Sequence, residues 1–147
     1  MSKVEVCMNR LWRLGNQLSK RGGIARKASR VLELVNYLIC ACSVSVDAEI
    51  GEGTNFYHRG IGCAIHARAV IGKDCKIFQG VTIGSKWSNG IYSGGAPHIG
   101  NNVMIGAVIL GDISVGDNSI IGANAVVIHN VPENSFAVGV PAVIKKL

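Results

Sequence analysis

The stretch AVIGKDCKIFQGVT, residues 69–82, contains the pattern that decides the fold of this chain. Ile71 and Ile77 in this stretch are six residues apart, and Ile83, directly after it, continues the same step. The step returns downstream in two runs, Ile99 and Ile105, then Ile109, Val115, Ile121 and Val127. A period of six is neither helical nor that of a simple strand, and it is typical of a β-solenoid.

The glycines and small residues keep the same register as the isoleucines. A glycine follows the apolar residue at 72, 84, 100, 106, 116 and 122. Each hexad then supplies one short strand and one tight turn, with one apolar side chain pointing into a stacked core. The sequence therefore predicts a mainly β fold, a hexapeptide solenoid.

Composition supports one domain and separates a basic segment from a neutral one. The chain has 147 residues, 48% hydrophobic but only 5% aromatic, which suits a core of Ile, Val and Ala. Residues 1–40 hold eight Lys or Arg and two Glu, a net charge of +6, whereas residues 41–147 hold seven of each sign. We expect a helical N-terminal segment over residues 1–42 and the solenoid over residues 43–147.

The N-terminal segment reads as two helices, residues 5–21 and 24–40, separated by Gly22 and Gly23. The favoured interpretation is a short two-helix cap on the open end of the solenoid, because terminal coils need capping. A basic amphipathic helix could also make weak contact with a membrane surface. We expect no nucleic-acid partner, since no recognisable binding motif is present.

Cysteine usage indicates the compartment. Five cysteines form no disulfide-like framework, so buried, reduced thiols are the simplest account. No signal peptide is visible, and the apolar run from Leu32 to Cys42 is too short to span a bilayer. These observations favour the cytoplasm.

Two irregularities interrupt the solenoid. Residues 85–96 lack the hexad and should form a loop projecting from the coil, carrying Trp87 and Tyr92. The step from Ile105 to Ile109 is four residues instead of six, so this coil must either bulge or lose a corner. The solenoid is expected to end at residues 131–134.

Several motifs resemble the hexapeptide-repeat acyltransferases, within them the serine acetyltransferase branch and the related polysaccharide O-acetyltransferases. They are Gly51-x-Gly53 with His58, QGVTIG at 79–84, IGANAVV at 121–127 and AVGVPA at 137–142. The resemblance covers about residues 44–144. It implies a left-handed parallel β-helix, a homotrimer with active sites between subunits, and acetyl-CoA as the donor.

His58 matches the catalytic histidine of the family. A hydroxyl group that attacks a thioester carbonyl must lose its proton, and imidazole titrates near neutral pH. His58 also lies where the hexad breaks, so its side chain can project from the wall. We expect it to act as the general base, with Tyr57 and Arg59 beside it in the acceptor site.

Three departures from the serine acetyltransferase pattern bear on the acceptor. Ser43 and Tyr57 stand where the family has acidic residues, and Ala96 stands where it has a second histidine. These positions help the family to grip an amino acid, so their loss favours a sugar hydroxyl of a surface polysaccharide. Acceptor-binding candidates are Tyr57, Arg59, His66, Trp87 and Tyr92, although a packing role for His66 is at least as well supported.

The donor site follows from the resemblance. Gly84, Ala107 and Ala123 match small positions along the groove that receives the pantetheine arm, and Gly84 is a candidate oxyanion donor. Lys145 and Lys146 could meet the phosphates of CoA, or be a solvated tail. No pair of histidines has metal-site spacing, so no catalytic metal is expected.

Three functions remain open at this stage. The first is an acetyl-CoA-dependent O-acetyltransferase acting on a sugar, with no acyl-enzyme. The second is a serine O-acetyltransferase of cysteine biosynthesis. The third is a non-catalytic trimeric solenoid, an interpretation motivated by the shortened coil and the missing acidic residues.

Overall fold

The computed structural model describes residues 3–88, 91–92 and 95–147, and the side chains of residues 9–87 and 95–147. Two antiparallel-running helices come first, α1 at Lys3–Ser19 and α2 at Gly23–Cys40. They are joined by a short turn in which Gly22 and Gly23 have positive φ, 72° and 53°, a conformation that glycine adopts without steric cost. No described helix meets the length and apolarity that crossing a bilayer requires.

The remaining chain winds as a three-sided prism of short parallel strands. Face A consists of β1 (Ser43–Val44), β4 (Ala64–Ile65), β7 (Thr82–Gly84), β12 (Val108–Leu110) and β15 (Val126–Val127). Face B consists of β2 (Glu49–Ile50), β5 (Val70–Ile71), β10 (His98–Ile99) and β13 (Ser114–Val115). Face C consists of β3 (Asn55–Phe56), β6 (Lys76–Ile77), β11 (Met104–Ile105), β14 (Ile120–Ile121), β16 (Ser135–Val138) and β17 (Val143–Lys146).

Stacking in register explains the six-residue period. On face B, Ile71 pairs with Ile50 on one side and Ile99 on the other, and Ile99 pairs with Val115. These apolar residues point inward, so one ladder of side chains per face fills the interior. The predicted left-handed parallel β-helix is confirmed by this topology together with the structural similarities given below.

The end of the solenoid lies further along the chain than the sequence suggested. β16 pairs in parallel with β14, Phe136 opposite Ile120 and Ala137 opposite Ile121. The coil therefore continues to Val138, and the expected end at residues 131–134 was wrong. Pro132 interrupts the motif, but an isolated bridge from Val115 to Val131 keeps the chain on face B.

Helix α1 closes the open end of the prism with polar side chains. The Trp12 indole donates to the Ser45 carbonyl oxygen at 2.9 Å, and Asn16 donates to the carbonyls of Val46 and Ala48 at 2.7 and 3.0 Å. Arg13 donates to the Gly51 and Thr54 carbonyls at 3.3 and 3.2 Å. Because the first coil has no coil below it, these bonds supply donors to carbonyl groups at its open end.

Candidate active site

Four connections lead from face C to face A of the next coil, and they stack along one edge of the prism. We call it the His58 edge; its connections are residues 57–63, 78–81, 106–107 and 122–125. Two of them, 78–81 and 122–125, have the four residues of a regular hexad corner. The first is longer and the third is shorter, and both exceptions coincide with positions that the sequence singled out.

The long connection presents His58 to solvent. Residues Tyr57–Gly60 form a 3-10 turn, and within it both His58 (φ 51°, ψ 37°) and Arg59 (φ 61°, ψ 15°) adopt the left-handed conformation. For a residue with a Cβ atom this conformation costs about 1–2 kcal/mol. Both side chains are exposed. Positive φ also occurs at other corner residues such as Asp74 and Asn102, so what distinguishes this turn is that two consecutive residues with side chains adopt it.

Neighbouring segments hold the strained turn in place. The Ile61 N–H donates to the His58 carbonyl oxygen at 3.3 Å, and the Cys63 N–H donates to the Gly60 carbonyl oxygen at 2.9 Å. The Ile61 carbonyl accepts from the Gly80 N–H at 2.8 Å on the next connection. The turn is thus tied to the adjacent coil rather than free to swing.

Tyr57 is fixed by an aromatic contact. Its ring stacks on Phe78 of the next connection, with ring centroids 5.2 Å apart and planes at 23°. One face of Tyr57 is therefore occupied by the protein, and only the rest of its surface is open to an acceptor. The stack also links the His58 turn to the coil that carries Phe78.

His66 and Gly84 lie together on face A, in a cleft of about 220 Å³. It is lined by Ser43, Ala64, Ile65, His66, Thr82, Ile83 and Gly84. The Arg68 N–H donates to Nδ1 of His66 at 3.1 Å, so neutral His66 carries its proton on Nε2. Ala64 directly follows the connection that carries His58, so the cleft and the His58 turn belong to adjoining segments of one coil.

The short connection shows how the coil absorbs its missing residues: it loses a corner. Ala107 is buried, 2% exposed, and takes the inward place that Val81 and Ala125 hold in the adjacent coils. The Thr82 N–H donates to the Ala107 carbonyl at 3.2 Å, and the Val108 N–H donates to the Ala125 carbonyl at 2.9 Å. The ladder on face A is therefore continuous, and only the two outward corner residues are lacking.

The lost corner leaves a cavity of about 370 Å³, which we call the notch. It is lined by Phe78, Gln79, Met104, Gly106, Ile120, Ile121, Gly122, Ala123 and Asn124. It lies two coils from His58 on the same edge, about 10 Å along the prism axis at ordinary strand spacing. Phe78 lines the notch and also stacks on Tyr57, so the two features share a residue.

The predicted donor-site residues fall into separate groups. Ala123 lines the notch, whereas the methyl group of Ala107 belongs to the solenoid core, so only its backbone can face a ligand. Gly84 lies in the face A cleft. Lys145 and Lys146 are exposed on β17, antiparallel to β16 at the far end of the solenoid.

Trp87 lies on a different edge from His58. The segment between β7 and β10 projects where face A passes to face B, and contains a small antiparallel pair, β8 (Trp87–Ser88) and β9 (Ile91–Tyr92). Trp87 is 67% exposed. The side chain of Tyr92 lies outside the described residues. Within one chain, then, this hairpin and the His58 turn occupy separate edges of the prism.

The three departures from the family pattern have distinct surroundings. Ser43 is exposed in β1 and lines the face A cleft. Ala96 is 4% exposed, so its methyl group is packed inside rather than offered to a ligand. Tyr57 is the stacked ring described above. Residue identity at these positions could be read from the sequence, but their burial could not.

The described cysteines are unsuited to covalent catalysis. Cys40, Cys42, Cys63 and Cys75 are buried thiols that form no disulfide bond. Burial, and then the neighbouring Cys40 and Cys63, raise the pKa of Cys42 to about 12, and burial raises the pKa of Cys63 and Cys75. Since the thiolate is the nucleophile, these thiols are inert at neutral pH. Among the described residues, no three His, Cys, Asp or Glu side chains cluster as metal ligands.

Sequence reasoning missed the residues that line the notch. Phe78 belongs to an ordinary-looking hexad, and Gln79 and Asn124 belong to quoted motifs without being assigned a role; of the notch residues only Ala123 was predicted. The available signal was the step of four between Ile105 and Ile109, flanked on both sides by regular coils. A lost corner at this step, unlike a bulge, predicts a cavity bordered by the corners of the two adjacent coils.

Known proteins similar to this chain have the hexapeptide-repeat character that the geometry shows. A model of the bacterial transferase hexapeptide family (six repeats) matches residues 96–129, which include the lost corner. The serine acetyltransferase of Helicobacter pylori (strain J99) is 38% identical over 136 residues, 89% of this chain and 75% of the relative. That of Synechococcus elongatus is 37% identical over 115 residues, 76% of this chain and 46% of the relative.

Solved structures extend the similarity over almost the whole chain. A serine acetyltransferase in complex with CoA superposes with a TM-score of 0.81 at 33% identity, covering 94% of this chain. The Neisseria gonorrhoeae serine acetyltransferase in complex with serine superposes with a TM-score of 0.84 at 30% identity, covering 97%. This chain spans 55% and 57% of those two proteins, respectively.

Proposed function

This chain belongs to the serine acetyltransferase family, and we propose that it transfers an acetyl group from acetyl-CoA to a hydroxyl group, with L-serine as the first acceptor to test. The observation that carries the proposal is His58, exposed on a strained turn at the start of an edge that also holds the notch. Relatives named for serine acetylation support the choice of acceptor.

In the proposed mechanism, the imidazole of His58 accepts the proton of the acceptor hydroxyl as its oxygen attacks the thioester carbonyl. The tetrahedral intermediate collapses, the carbon–sulfur bond breaks, and the imidazolium returns the proton to the departing thiolate of CoA. The products are the acetyl ester and free CoA. No acyl-enzyme forms, in keeping with the raised thiol pKa of Cys42 and Cys63.

We propose that the pantetheine arm of the donor runs along the His58 edge and enters the notch. The small side chain of Ala123 leaves room for it, and the apolar side chains of Phe78 and Met104 suit its methyl and methylene groups. In this arrangement Lys145 and Lys146 serve the CoA phosphates. Gly84 does not suit the role of oxyanion donor expected from the resemblance, because it pairs with Leu110 in the ladder between β7 and β12.

Assembly as a homotrimer is part of the proposal, and the division of site residues between edges supports it. Trp87 and His58 occupy separate edges of one chain, so a second subunit would be needed to bring a projecting hairpin beside a His58 turn. We therefore keep the homotrimer with inter-subunit sites as part of the proposal. The buried thiols support the cytoplasm as its compartment.

A saccharide hydroxyl is retained as a second acceptor, although the comparisons favour serine. The observation behind it is the pair Tyr57 and Ala96, an aromatic ring and a buried methyl group where the family has an acid and a histidine. Aromatic rings suit sugars better than they suit a zwitterion. The main argument for a non-catalytic solenoid was the shortened coil. That argument is weakened, because the coil closes with its face A hydrogen bonds intact.

The test is release of free thiol from acetyl-CoA by the purified protein, with L-serine and with a panel of sugars in parallel. We expect release with L-serine that is lost in His58→Ala and kept in His129→Ala, a matched exposed histidine near the end of the coil. Release with a sugar alone would overturn the serine assignment. Failure to release thiol with any acceptor, or to bind CoA, would leave the non-catalytic solenoid.

A further inference from the structure

Helix α2 exposes its apolar side chains. Ile24 is 86% exposed, Val31 59%, Leu34 56% and Leu38 71%. Their spacing of seven, three and four places them on one stripe of the helix. An isolated exposed leucine is ordinary, but four large apolar side chains in line form a patch of the kind that marks an interaction surface.

The opposite side of α2 is the one that packs against the protein. It buries Ser29, Asn36 and Cys40, which are small or polar. Leu32 is partly buried on this side too, next to Gly15 of α1, so the packed side mixes apolar and polar residues while large apolar side chains remain outside. The capping bonds described above all come from α1, so closing the solenoid does not account for the apolar stripe.

Cations surround the N-terminal half of this stripe. Lys20 and Arg21 precede the helix, Arg26 lies in its first turn, and all three are exposed. Lys27 is also exposed and lies on the stripe itself, between Ile24 and Val31. Arg30 is different, because it pairs with Glu33 at 2.7 Å and Asp47 at 2.6 Å. The excess charge of the chain is confined to residues 1–40, and the solenoid is neutral.

We propose that α2 is an interfacial helix that docks the protein on an anionic lipid surface. Its apolar stripe would lie among the acyl chains, with the flanking Lys and Arg at the level of the anionic headgroups. The charge of this face disfavours its contact with the same face of a second copy. Such a contact would bring Lys20, Arg21, Arg26 and Lys27 near their own counterparts. The helix lies in the interface and does not span it.

The experiment is co-sedimentation of the full chain with sucrose-loaded vesicles. Vesicles of phosphatidylcholine containing phosphatidylglycerol should pellet the protein, and vesicles of phosphatidylcholine alone should not. Each cation near an anionic surface contributes about fivefold to the partition coefficient. The double variant Arg26→Gln, Lys27→Gln should therefore bind about 25-fold more weakly, while Lys73→Gln, Lys76→Gln on the solenoid should bind as the wild type does.

The apolar part is tested separately. Leu34→Ser with Leu38→Ser should abolish pelleting, while Val143→Ser with Leu147→Ser, two similarly exposed residues at the far end of the chain, should leave it unchanged. Both positions on α2 are exposed, so the variants should fold, which circular dichroism checks. Unchanged pelleting of the Leu34 and Leu38 variant overturns the proposal. The proposal is also overturned if this variant forms a smaller oligomer than the wild type in sedimentation velocity, because the stripe would then be an interface between copies.

Discussion

The Asn124 N–H donates to the carbonyl oxygen of Gly106 at 2.8 Å, across the place where the solenoid lacks a corner. This bond joins the shortened connection to the regular one above it. It leaves the notch open between the two neighbouring corners rather than collapsed. The shortened coil is thus a stable element of the fold, and the cavity beside it is available to a ligand.

Filling the notch should weaken donor binding. Ala123 is exposed and lines the notch, so Ala123→Phe should place a ring where the pantetheine arm is proposed to lie. We expect KM for acetyl-CoA to rise by about tenfold or more, equivalent to about 1.4 kcal/mol, with kcat little changed. Steady-state kinetics at varied acetyl-CoA measure both, and Ala28→Phe on exposed α2 is the control. An unchanged KM would contradict the placement of the donor.

Asn124 should matter through its backbone conformation. Its φ is 57°, in the left-handed region, which asparagine adopts at lower cost than alanine. Asn124→Ala should lower stability by about 1 kcal/mol, or about 2–4 °C in Tm for a chain of this size. Asn124→Gly should be neutral or stabilising. Thermal unfolding followed by circular dichroism compares the two, and equal losses for both would mean that the side chain matters instead.

The His58 turn should show a trade between stability and activity. With φ at 51°, His58→Gly should raise stability relative to His58→Ala by about 1 kcal/mol, because only the glycine adopts this conformation freely. Both variants should lose about 10²–10⁴-fold in kcat, the usual range for a general base. Chemical denaturation and thiol-release assays are run in parallel. A glycine variant less stable than the alanine variant would show that the turn is unstrained.

The capping bonds of α1 should stabilise the whole solenoid. Asn16→Ala removes hydrogen bonds to the carbonyls of Val46 and Ala48 and should cost about 1–2 kcal/mol, because Ala48 loses its donor while Val46 keeps the Ser19 hydroxyl at 3.4 Å. Gln17, the exposed neighbour on the same helix, provides the control Gln17→Ala. Urea denaturation measures the difference. A loss no larger than that of the control would mean that water replaces Asn16 without penalty.

Stability should fall at high pH through the buried thiols. The pKa of Cys42 is raised from 9.0 to about 12 in the folded chain. Its contribution is therefore fully present below pH 9 and lost as the pH rises from 9 through 12, since the unfolded chain releases the proton first. Tm measured across this range should decline less steeply in Cys42→Ala. Equal slopes in both proteins would contradict the assigned burial effect.

The sequence and the structure agree wherever the evidence is local and repeated. Ile71, Ile77 and Ile83 predict the coil because a six-residue period has few structural solutions. His58 stood out because it falls at a break in that period and matches a family motif. The acceptor was harder to predict. Ser43, Tyr57 and Ala96 favoured a sugar, whereas the similar proteins are named for serine. Three residues constrain a binding site less than similarity along a whole chain does.

The sequence by itself determined the repeat, the neutral solenoid, the basic N-terminal segment and the position of the short coil, since each is a property of residue order and charge. Only the tertiary structure decided how the short coil closes, because strands held in register by coils above and below exclude a bulge and leave a notch. It also decided that α1 caps the solenoid while α2 keeps an apolar stripe exposed. Which face of a helix packs depends on its neighbours, and the helical period alone does not reveal them.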